Sequence, residues 1–240
     1  MVLIQWQRSI IPACDVDSLE KLAMLVSATA EVPYIGGYKV GLELAIPFGL
    51  TRVVQIVRRY SRLPIIYDHQ KAGNDIPELG DKFARAVKAS GADAAILFPF
   101  SSPLTEEDWI KACQDRGLVV IVGGHMTHKK FLQAEGGFIA NDAPERIYET
   151  AAKHGVRDFV VPGNKVDLVA HYSAVLADLL GEDEFTLYAP GFVAQGGNIS
   201  ETGKEAGDNW HAIVGTALYK YNTVEETHAA AIELTSQIAA

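Results

Sequence analysis

Eight short apolar runs alternate with longer amphipathic segments along the 240-residue chain, and this alternation restricts the fold more than any other feature of the sequence. The apolar runs are rich in β-branched residues, which is typical of strands buried on both faces of a parallel sheet. The predicted strands are 9–14, 35–40, 63–67, 92–98, 118–122, 158–161, 185–189 and 211–214. The intervening segments have apolar residues at helical spacing, and the predicted helices are 18–30, 44–60, 79–90, 106–116, 144–154, 166–180, 200–206 and 224–238.

Helix boundaries and unit count together predict the architecture. Ser18 and Thr105 are candidate N-caps, and glycines follow five of the helical segments, at positions 91, 117, 155, 181 and 207. Eight strand and helix units in 240 residues match the size and period of a closed (β/α)8 barrel. An open doubly wound sheet is the alternative, but it usually has fewer strands. Because no linker rich in proline, glycine or serine divides the chain, the prediction is a single-domain α/β TIM barrel over residues 1–240.

Composition limits the partners and the location of the protein. Thirty acidic against 21 basic residues give a formal net charge of -9, which argues against nucleic acid or an anionic membrane surface as the main partner. The first residues lack the pattern of a signal peptide, and no run approaches the ~20 apolar residues of a membrane helix. Only Cys14 and Cys113 occur, too few for a disulfide framework, so the prediction is a cytoplasmic protein.

Charged and polar residues follow most of the predicted strands, where the chemistry of such barrels lies. After the third strand, Lys71 stands between Asp68 and Asp75, and two carboxylates strongly favour the charged form of such a lysine. The sequence therefore predicts a functional charge cluster at this strand end. The other candidate site residues are Asp15, Lys39, Thr127, Pro190, Gln195, Gly196, Gly215 and Thr216.

Glycine-containing segments follow the seventh and eighth strands, PGFVAQGG at 190–197 and VGT at 214–216. Loops after these two strands often bind phosphate through backbone N–H groups. The two segments together predict a phosphorylated small-molecule ligand and leave the reaction open.

Two histidines at a metal-ligand spacing follow the fifth strand. His125 and His128 are three residues apart, but no third ligand is evident, so a core or supporting role is favoured over a zinc site. A divalent metal site built from Asp68, His69 and His125 across strands stays open as an alternative.

The order of these motifs resembles that of the orotidine 5'-phosphate decarboxylase family over most of the chain. The matching pieces are Asp15, KVG at 39–41, the Asp68, Lys71 and Asp75 cluster followed by Ile-Pro, MTH at 126–128, PGFVAQGG at 190–197 and VGTALY at 214–219. Two features depart from the family pattern. Each gap in the cluster is one residue longer than in the family's D-x-K-x-x-D, and Thr216 stands where the family usually carries a phosphate-binding arginine.

The resemblance implies decarboxylation of orotidine 5'-monophosphate to UMP and CO2 in pyrimidine biosynthesis, without a metal or organic cofactor. It assigns to Lys71 the stabilisation and protonation of the carbanion at C6 of the pyrimidine, with Asp68 and Asp75 holding the lysine charged. It further implies a homodimer in which Asp75 reaches the active site of the neighbouring subunit.

The resemblance also distributes the binding roles around the nucleotide. Lys39 and Asp15 would bind ribose hydroxyls, Thr127 the pyrimidine edge, and Gln195, Gly215 and Thr216 the phosphate. Two other functions stay open. One is a Mg²⁺-dependent sugar-phosphate decarboxylase or aldolase of the same superfamily, and the other is a non-catalytic barrel that binds a phosphorylated metabolite.

Overall fold

The computed structural model describes residues 2–69, 72–192 and 196–238, and at its centre is one sheet of eight parallel strands. The strands are β1 (Arg8–Pro12), β2 (Tyr38–Gly41), β3 (Ile65–Asp68), β4 (Ala94–Leu97), β5 (Val119–Gly123), β6 (Asp158–Val160), β7 (Thr186–Pro190) and β8 (Trp210–Val214). They are paired in the order β1-β8-β7-β6-β5-β4-β3-β2. Parallel bridges from Ile10 to Ile35 and from Ala13 to Lys39 join β1 to the β2 segment and close the sheet. The predicted (β/α)8 barrel is confirmed.

Helices connect successive strands around the outside of the barrel. They are α1 (Leu19–Thr29), α2 (Leu42–Phe48), α3 (Leu50–Tyr60), α4 (Gly80–Ser90), α5 (Pro103–Asp115), α6 (Ala143–Lys153), α7 (Val166–Leu180), α8 (Ile199–Glu205), α9 (Thr216–Tyr219) and α10 (Val224–Ile238). Short 3-10 helices lie at Pro77–Leu79 and Gln133–Glu135. Within the described ranges, no helix has the length and hydropathy needed to cross a membrane.

Three local predictions about helices need comment. The N-cap at Ser18 is confirmed, since its Oγ accepts a hydrogen bond from the Lys21 amide at 3.2 Å. The N-cap at Thr105 is wrong, because α5 begins two residues earlier and Ser102 caps it. The single helix at 44–60 is also wrong. It breaks into α2 and α3 at Gly49, whose φ of 78° no helical residue adopts.

Two apolar layers hold the barrel together. The larger lies between the outer faces of the strands and the helices, and the smaller fills the barrel interior with side chains such as Ile11, Ile66 and Ile121. At the amino-terminal end of the interior, the buried Ser9 Oγ and His211 Nδ1 are hydrogen-bonded at 2.8 Å. This contact places a polar pair at the amino-terminal end of the interior, while a cavity lies at the carboxyl-terminal ends of the strands.

Candidate functional site

A cavity of about 280 Å³ lies at the carboxyl-terminal ends of the strands. Every strand contributes to its wall, either directly or through the residues that follow it. The lining residues in the described part of the chain are Ala13, Asp15, Lys39, Asp68, Ile96, Phe98, His125, Met126, Thr127, Val160, Pro190, Gly191, Phe192, Ile213, Gly215, Thr216 and Tyr219.

A wider groove of about 920 Å³ lies near the opposite end of the barrel, between α7, α8 and α10. Its wall mixes both signs of charge, with Arg8 and Lys204 beside Glu182 and Asp208. The smaller cavity is the candidate site, because it holds buried charges at the end of the barrel where catalytic groups are placed.

Lys39 is the centre of a buried ion-pair cluster in this cavity. Its Nζ lies 3.1 Å from Asp68 Oδ2 and 3.2 Å from Asp15 Oδ1. Lys39 is 8% exposed and Asp68 is 4% exposed, whereas the Asp15 side chain is 44% exposed. Burial alone would lower the pKa of Lys39, but the two carboxylates outweigh it and raise this pKa to about 12. The lysine therefore stays charged inside the barrel at neutral pH.

Strand register brings these three residues together. Lys39 pairs with Ile66 in the parallel β2 and β3 ladder, and Gly41 pairs with Asp68 two residues further on. Residues two apart on a strand face the same side of the sheet, so Lys39 lies beside the carboxylate that ends β3. The bridge between Ala13 and Lys39 places the segment after β1, and with it Asp15, on the other side of the lysine.

The remaining members of the predicted charge cluster are placed differently. Lys71 lies outside the described residues, so its predicted role stays a prediction. Asp75 is exposed and does not line the cavity, and its Oδ1 accepts a hydrogen bond from the Ile76 amide at 2.7 Å. Within one chain, the structure therefore brings Asp68 together with Lys39 and Asp15, but not with Asp75.

Hydrogen bonds fix the segment that follows Lys71 against the connection between β4 and α5. The carbonyl of Ala72 accepts from the Phe98 amide at 2.9 Å, and Asn74 Oδ1 accepts from the Phe100 amide at 2.8 Å. The carbonyl of Asp75 accepts from Thr105 Oγ1 at 3.0 Å. These contacts hold residues 72–75 along the barrel rim.

The wall formed by the ends of β7 and β8 has no charged side chain among the described residues. Pro190, Gly215 and Thr216 line the cavity, and Thr216 Oγ1 lies 3.0 Å from Tyr219 OH. Gly196 is exposed and does not line the cavity. Gln195 lies outside the described residues.

Thr127 lines the cavity on the β5 side, and its neighbourhood was only partly predicted. His125 is 1% exposed and also lines the cavity, with Nδ1 2.7 Å from Tyr172 OH and Nε2 3.1 Å from Lys165 Nζ. Burial, reinforced by the nearby Lys165 ammonium group, lowers the pKa of His125 to about 4. The sequence gives no sign of the Lys165 contact, because 40 residues separate the two.

Sequence reasoning also missed several apolar lining residues. They are Ile96, Phe98, Met126, Phe192 and Ile213, with Tyr219 as a polar member. Their positions at or just beyond strand ends were the available signal, but an apolar residue there is equally typical of the core.

The alternative metal site is not assembled in the described part of the chain. No group of three or more His, Cys, Asp or Glu side chains there has the geometry to hold a metal ion. His69 Nδ1 is hydrogen-bonded to Tyr67 OH, and both ring nitrogens of His125 are engaged as described above. Asp68, His69 and His125 therefore have other partners.

Fold and site together define a (β/α)8-barrel protein with a ligand cavity at the carboxyl ends of its strands. The family model described as "Orotidine 5'-phosphate decarboxylase / HUMPS family" matches residues 8–231. The chain belongs to this family, which confirms the resemblance inferred from the motifs.

Several relatives cover nearly the whole chain. The orotidine 5'-phosphate decarboxylase of Methanosarcina mazei is 30% identical over 232 residues, covering 95% of this chain and 94% of the relative. That of Methanocaldococcus jannaschii is 26% identical over 197 residues, covering 80% and 83%.

Solved structures show the same fold. The Methanocaldococcus jannaschii orotidine 5'-monophosphate decarboxylase complexed with inhibitor BMP has a TM-score of 0.81 at 21% identity, covering 97% of this chain and 99% of that one. The orotidine 5'-phosphate decarboxylase of Pyrococcus horikoshii has a TM-score of 0.78 at 24% identity, covering 96% and 99%.

Proposed function

We propose that this protein decarboxylates orotidine 5'-monophosphate to UMP and CO2 in pyrimidine biosynthesis, without a metal or organic cofactor. The buried cluster of Lys39, Asp68 and Asp15 carries this proposal, because it lies in the strand-end cavity of a chain that belongs to the decarboxylase family. The structure of the Methanocaldococcus jannaschii enzyme complexed with inhibitor BMP supports a nucleotide ligand.

The chemistry requires a cation beside the reacting carbon. Loss of CO2 leaves an electron pair on C6, so the site must stabilise negative charge more strongly in the transition state than in the substrate. We assign this role to Lys71, three residues beyond Asp68, whose ammonium group then gives a proton to C6. The Asp68 carboxylate favours the charged form of Lys71, and the Lys39 ammonium group in turn stabilises the negative charge of Asp68.

The rest of the cavity is assigned to the nucleotide. Lys39 and Asp15 bind ribose hydroxyls, and Thr127 contacts the pyrimidine edge. The phosphate is placed at the β7 and β8 end, where hydroxyl and backbone groups are the available donors. The residues assigned to this end are Pro190, Gln195, Gly196, Gly215 and Thr216.

Ultraviolet absorbance of orotidine 5'-monophosphate in the presence of EDTA tests the activity directly. We expect the wild type to consume the substrate and release CO2, and Lys71→Ala to be folded by circular dichroism but inactive. Lys153→Ala is the matched control, because Lys153 is an exposed lysine on α6 and pairs only with Glu149 among the described residues. Activity that disappears with EDTA would support the Mg²⁺-dependent sugar-phosphate lyase instead.

Binding is tested separately from turnover. UMP should raise the Tm, since a ligand that binds only the native state stabilises it. UMP binding without release of CO2 would support the non-catalytic alternative.

We further propose a homodimer in which Asp75 completes the site of the neighbouring subunit. Asp75 does not line the cavity of its own chain, and exposed apolar side chains adjoin it. Ile76 is next in sequence and 57% exposed, and Leu104, which is 59% exposed, precedes the Thr105 that donates a hydrogen bond to the Asp75 carbonyl. Such side chains at one rim of the barrel are suited to burial against a second copy.

Mixing two inactive variants tests the shared site. Lys71→Ala and Asp75→Asn homodimers should each be nearly inactive, whereas a mixed dimer contains one site with both changes and one intact site. Random exchange makes about half of the dimers mixed, so activity should approach roughly one quarter of the wild-type value per subunit. Subunit exchange without recovery would remove Asp75 from the neighbouring site.

We also propose a cytoplasmic location and a single domain over residues 1–240. Cys14 and Cys113 are both buried and free, which is compatible with a reducing compartment. Cell fractionation tests the location, and a single cooperative unfolding transition tests the domain assignment.

A further inference from the structure

One chain of polar contacts runs from the cavity wall to the outside of the barrel on the β5 and β6 side. His125 Nδ1 lies 2.7 Å from Tyr172 OH on α7, and His125 Nε2 lies 3.1 Å from Lys165 Nζ, just before α7. Lys165 Nζ also lies 3.5 Å from Glu135 Oε1, and Glu135 Oε2 accepts a hydrogen bond from the Phe131 amide at 3.1 Å. Three chain segments thus meet around one buried imidazole: His125 itself, Phe131 to Glu135, and Lys165 to Tyr172.

These contacts determine which nitrogen of His125 carries the proton. Lys165 is a donor only, so Nε2 accepts its hydrogen bond and the proton lies on Nδ1, which donates to the Tyr172 hydroxyl. A protonated imidazole would place a second positive charge against Lys165 at 3.1 Å. The lysine therefore fixes both the tautomer and the neutral state of the ring.

The same imidazole is directly joined to the part of the wall that faces the ligand. His125, Met126 and Thr127 are consecutive and all line the cavity. The residue before Lys165 holds the other end of this segment, because Asn164 Nδ2 donates to the Thr127 carbonyl at 3.4 Å. Asn164 and Lys165 therefore restrain the segment at two points.

We propose that Lys165 is a positioning residue, which holds neutral His125 and through it sets the orientation of Met126 and Thr127 toward the pyrimidine of the substrate. This inference rests on the proposed function. Nothing in it requires Lys165 to touch the ligand, and Lys165 does not line the cavity.

The charged and titratable groups around His125 predict how the loss of Lys165 would act. Lys165 and His128 lower the pKa of His125, whereas Glu135 raises it, and Tyr172 is the hydrogen-bond partner on the other side. In Lys165→Met the imidazole loses its main positive neighbour and retains Glu135. It should then take up a proton at a higher pH than the wild-type ring, whose pKa is about 4.

Steady-state kinetics with orotidine 5'-monophosphate from pH 4.5 to 8 provides the test. Lys165→Met should raise KM and lower kcat/KM by roughly tenfold to a hundredfold, because small misplacements of substrate-orienting groups have effects of this size. The ratio of variant to wild-type kcat/KM should fall further toward acid pH. Taking this ratio at each pH cancels the titration of the substrate phosphate.

Two further variants separate positioning from general stability. Lys165→Arg still donates to Nε2, so its kcat/KM relative to the wild type should not change with pH. Adding His125→Gln to Lys165→Met should abolish the fall of the relative kcat/KM toward acid pH. Lys153→Met is the control for loss of a lysine elsewhere. A wild-type KM and pH profile in Lys165→Met, with only a lower Tm, would overturn the proposal and leave Lys165 a structural role.

The proposed function and the positioning role of Lys165 can fail separately. If the wild type releases no CO2, the decarboxylase proposal fails, and the affinity for UMP becomes the readout for Lys165. Weaker UMP binding in Lys165→Met, with the same acid dependence, would support positioning. Equal affinity in the two proteins at every pH would refute it.

Discussion

Replacing Lys39 by methionine tests whether the charge cluster is held together as the structure indicates. Methionine has a similar length, so the substitution removes the charge and the hydrogen bonds with little change in volume. It leaves the Asp68 carboxylate, which is 4% exposed, without the ammonium group 3.1 Å away. We therefore expect a large loss of stability together with the loss of substrate binding.

Two arguments give the size of the loss. Removing one partner of a buried ion pair typically costs about 3–5 kcal/mol, and the pair with the half-exposed Asp15 adds little to this. The rise of the Lys39 pKa from 10.5 to about 12 corresponds to about 2 kcal/mol in favour of the charged form. Asp68 also keeps other interactions, so we expect a decrease of about 2–4 kcal/mol in the free energy of unfolding.

Urea unfolding of Lys39→Met at pH 7 measures this decrease as a lower midpoint with an unchanged m value. Because the folded-state pKa of Lys39 is raised, its contribution is complete below pH 10.5 and is lost as the pH rises toward about 12. The stability difference between wild type and variant should therefore narrow in that window. Lys153→Met, at an exposed pair, should cost only about 0.3–0.5 kcal/mol. Equal losses in the two variants would refute the reasoning.

Three further substitutions test other parts of the molecule. Thr216→Arg should lower the KM for the nucleotide with kcat unchanged, since a charged contact to phosphate contributes about 1.5–3 kcal/mol; an unchanged KM would mean that position 216 does not face the phosphate. Gly123→Ala would place a Cβ 2.1 Å from Phe98 Cε1, so it should lower the free energy of unfolding by about 1–3 kcal/mol. Because Phe98 lines the cavity, the same change should weaken UMP binding. Adding Phe98→Leu should restore both stability and binding. Burial lowers the pKa of His211 to about 3, so the wild type should lose stability as the pH falls from 6.5 toward 3, whereas His211→Gln should lose less; parallel curves would contradict this.

The strands were predictable because each is short, apolar and buried on both faces. All eight were located to within three residues at each end, and the barrel followed from their number and spacing. The break between α2 and α3 was missed because apolar residues continue at helical spacing on both sides of Gly49. Pro47 and Gly49, both inside the predicted helix, were the available signals of a break. A helix of four residues is too short for hydrophobic periodicity to reveal it, which is why α9 (Thr216–Tyr219) was missed.

The site was predictable only where a strand end fixes a residue's place. Asp15, Lys39 and Asp68 belong to or directly follow strands, and the parallel register then determines that they meet. The contact between His125 and Lys165 depends on how two loops pack, 40 residues apart, and neither residue has a local pattern that reveals it. Strand-borne charges can therefore be predicted from a sequence, whereas the contacts that orient them require the tertiary structure.

The longer spacing of the Asp68, Lys71 and Asp75 cluster illustrates the same distinction. The sequence shows one extra residue in each gap, but it does not show how the chain is arranged on either side of Lys71. The hydrogen bonds from the β4 to α5 connection to Ala72 and Asn74 fix the segment after Lys71, and β3 fixes Asp68 before it. The longer spacing therefore leaves Asp68 and Lys39 in the places that the strand register gives them.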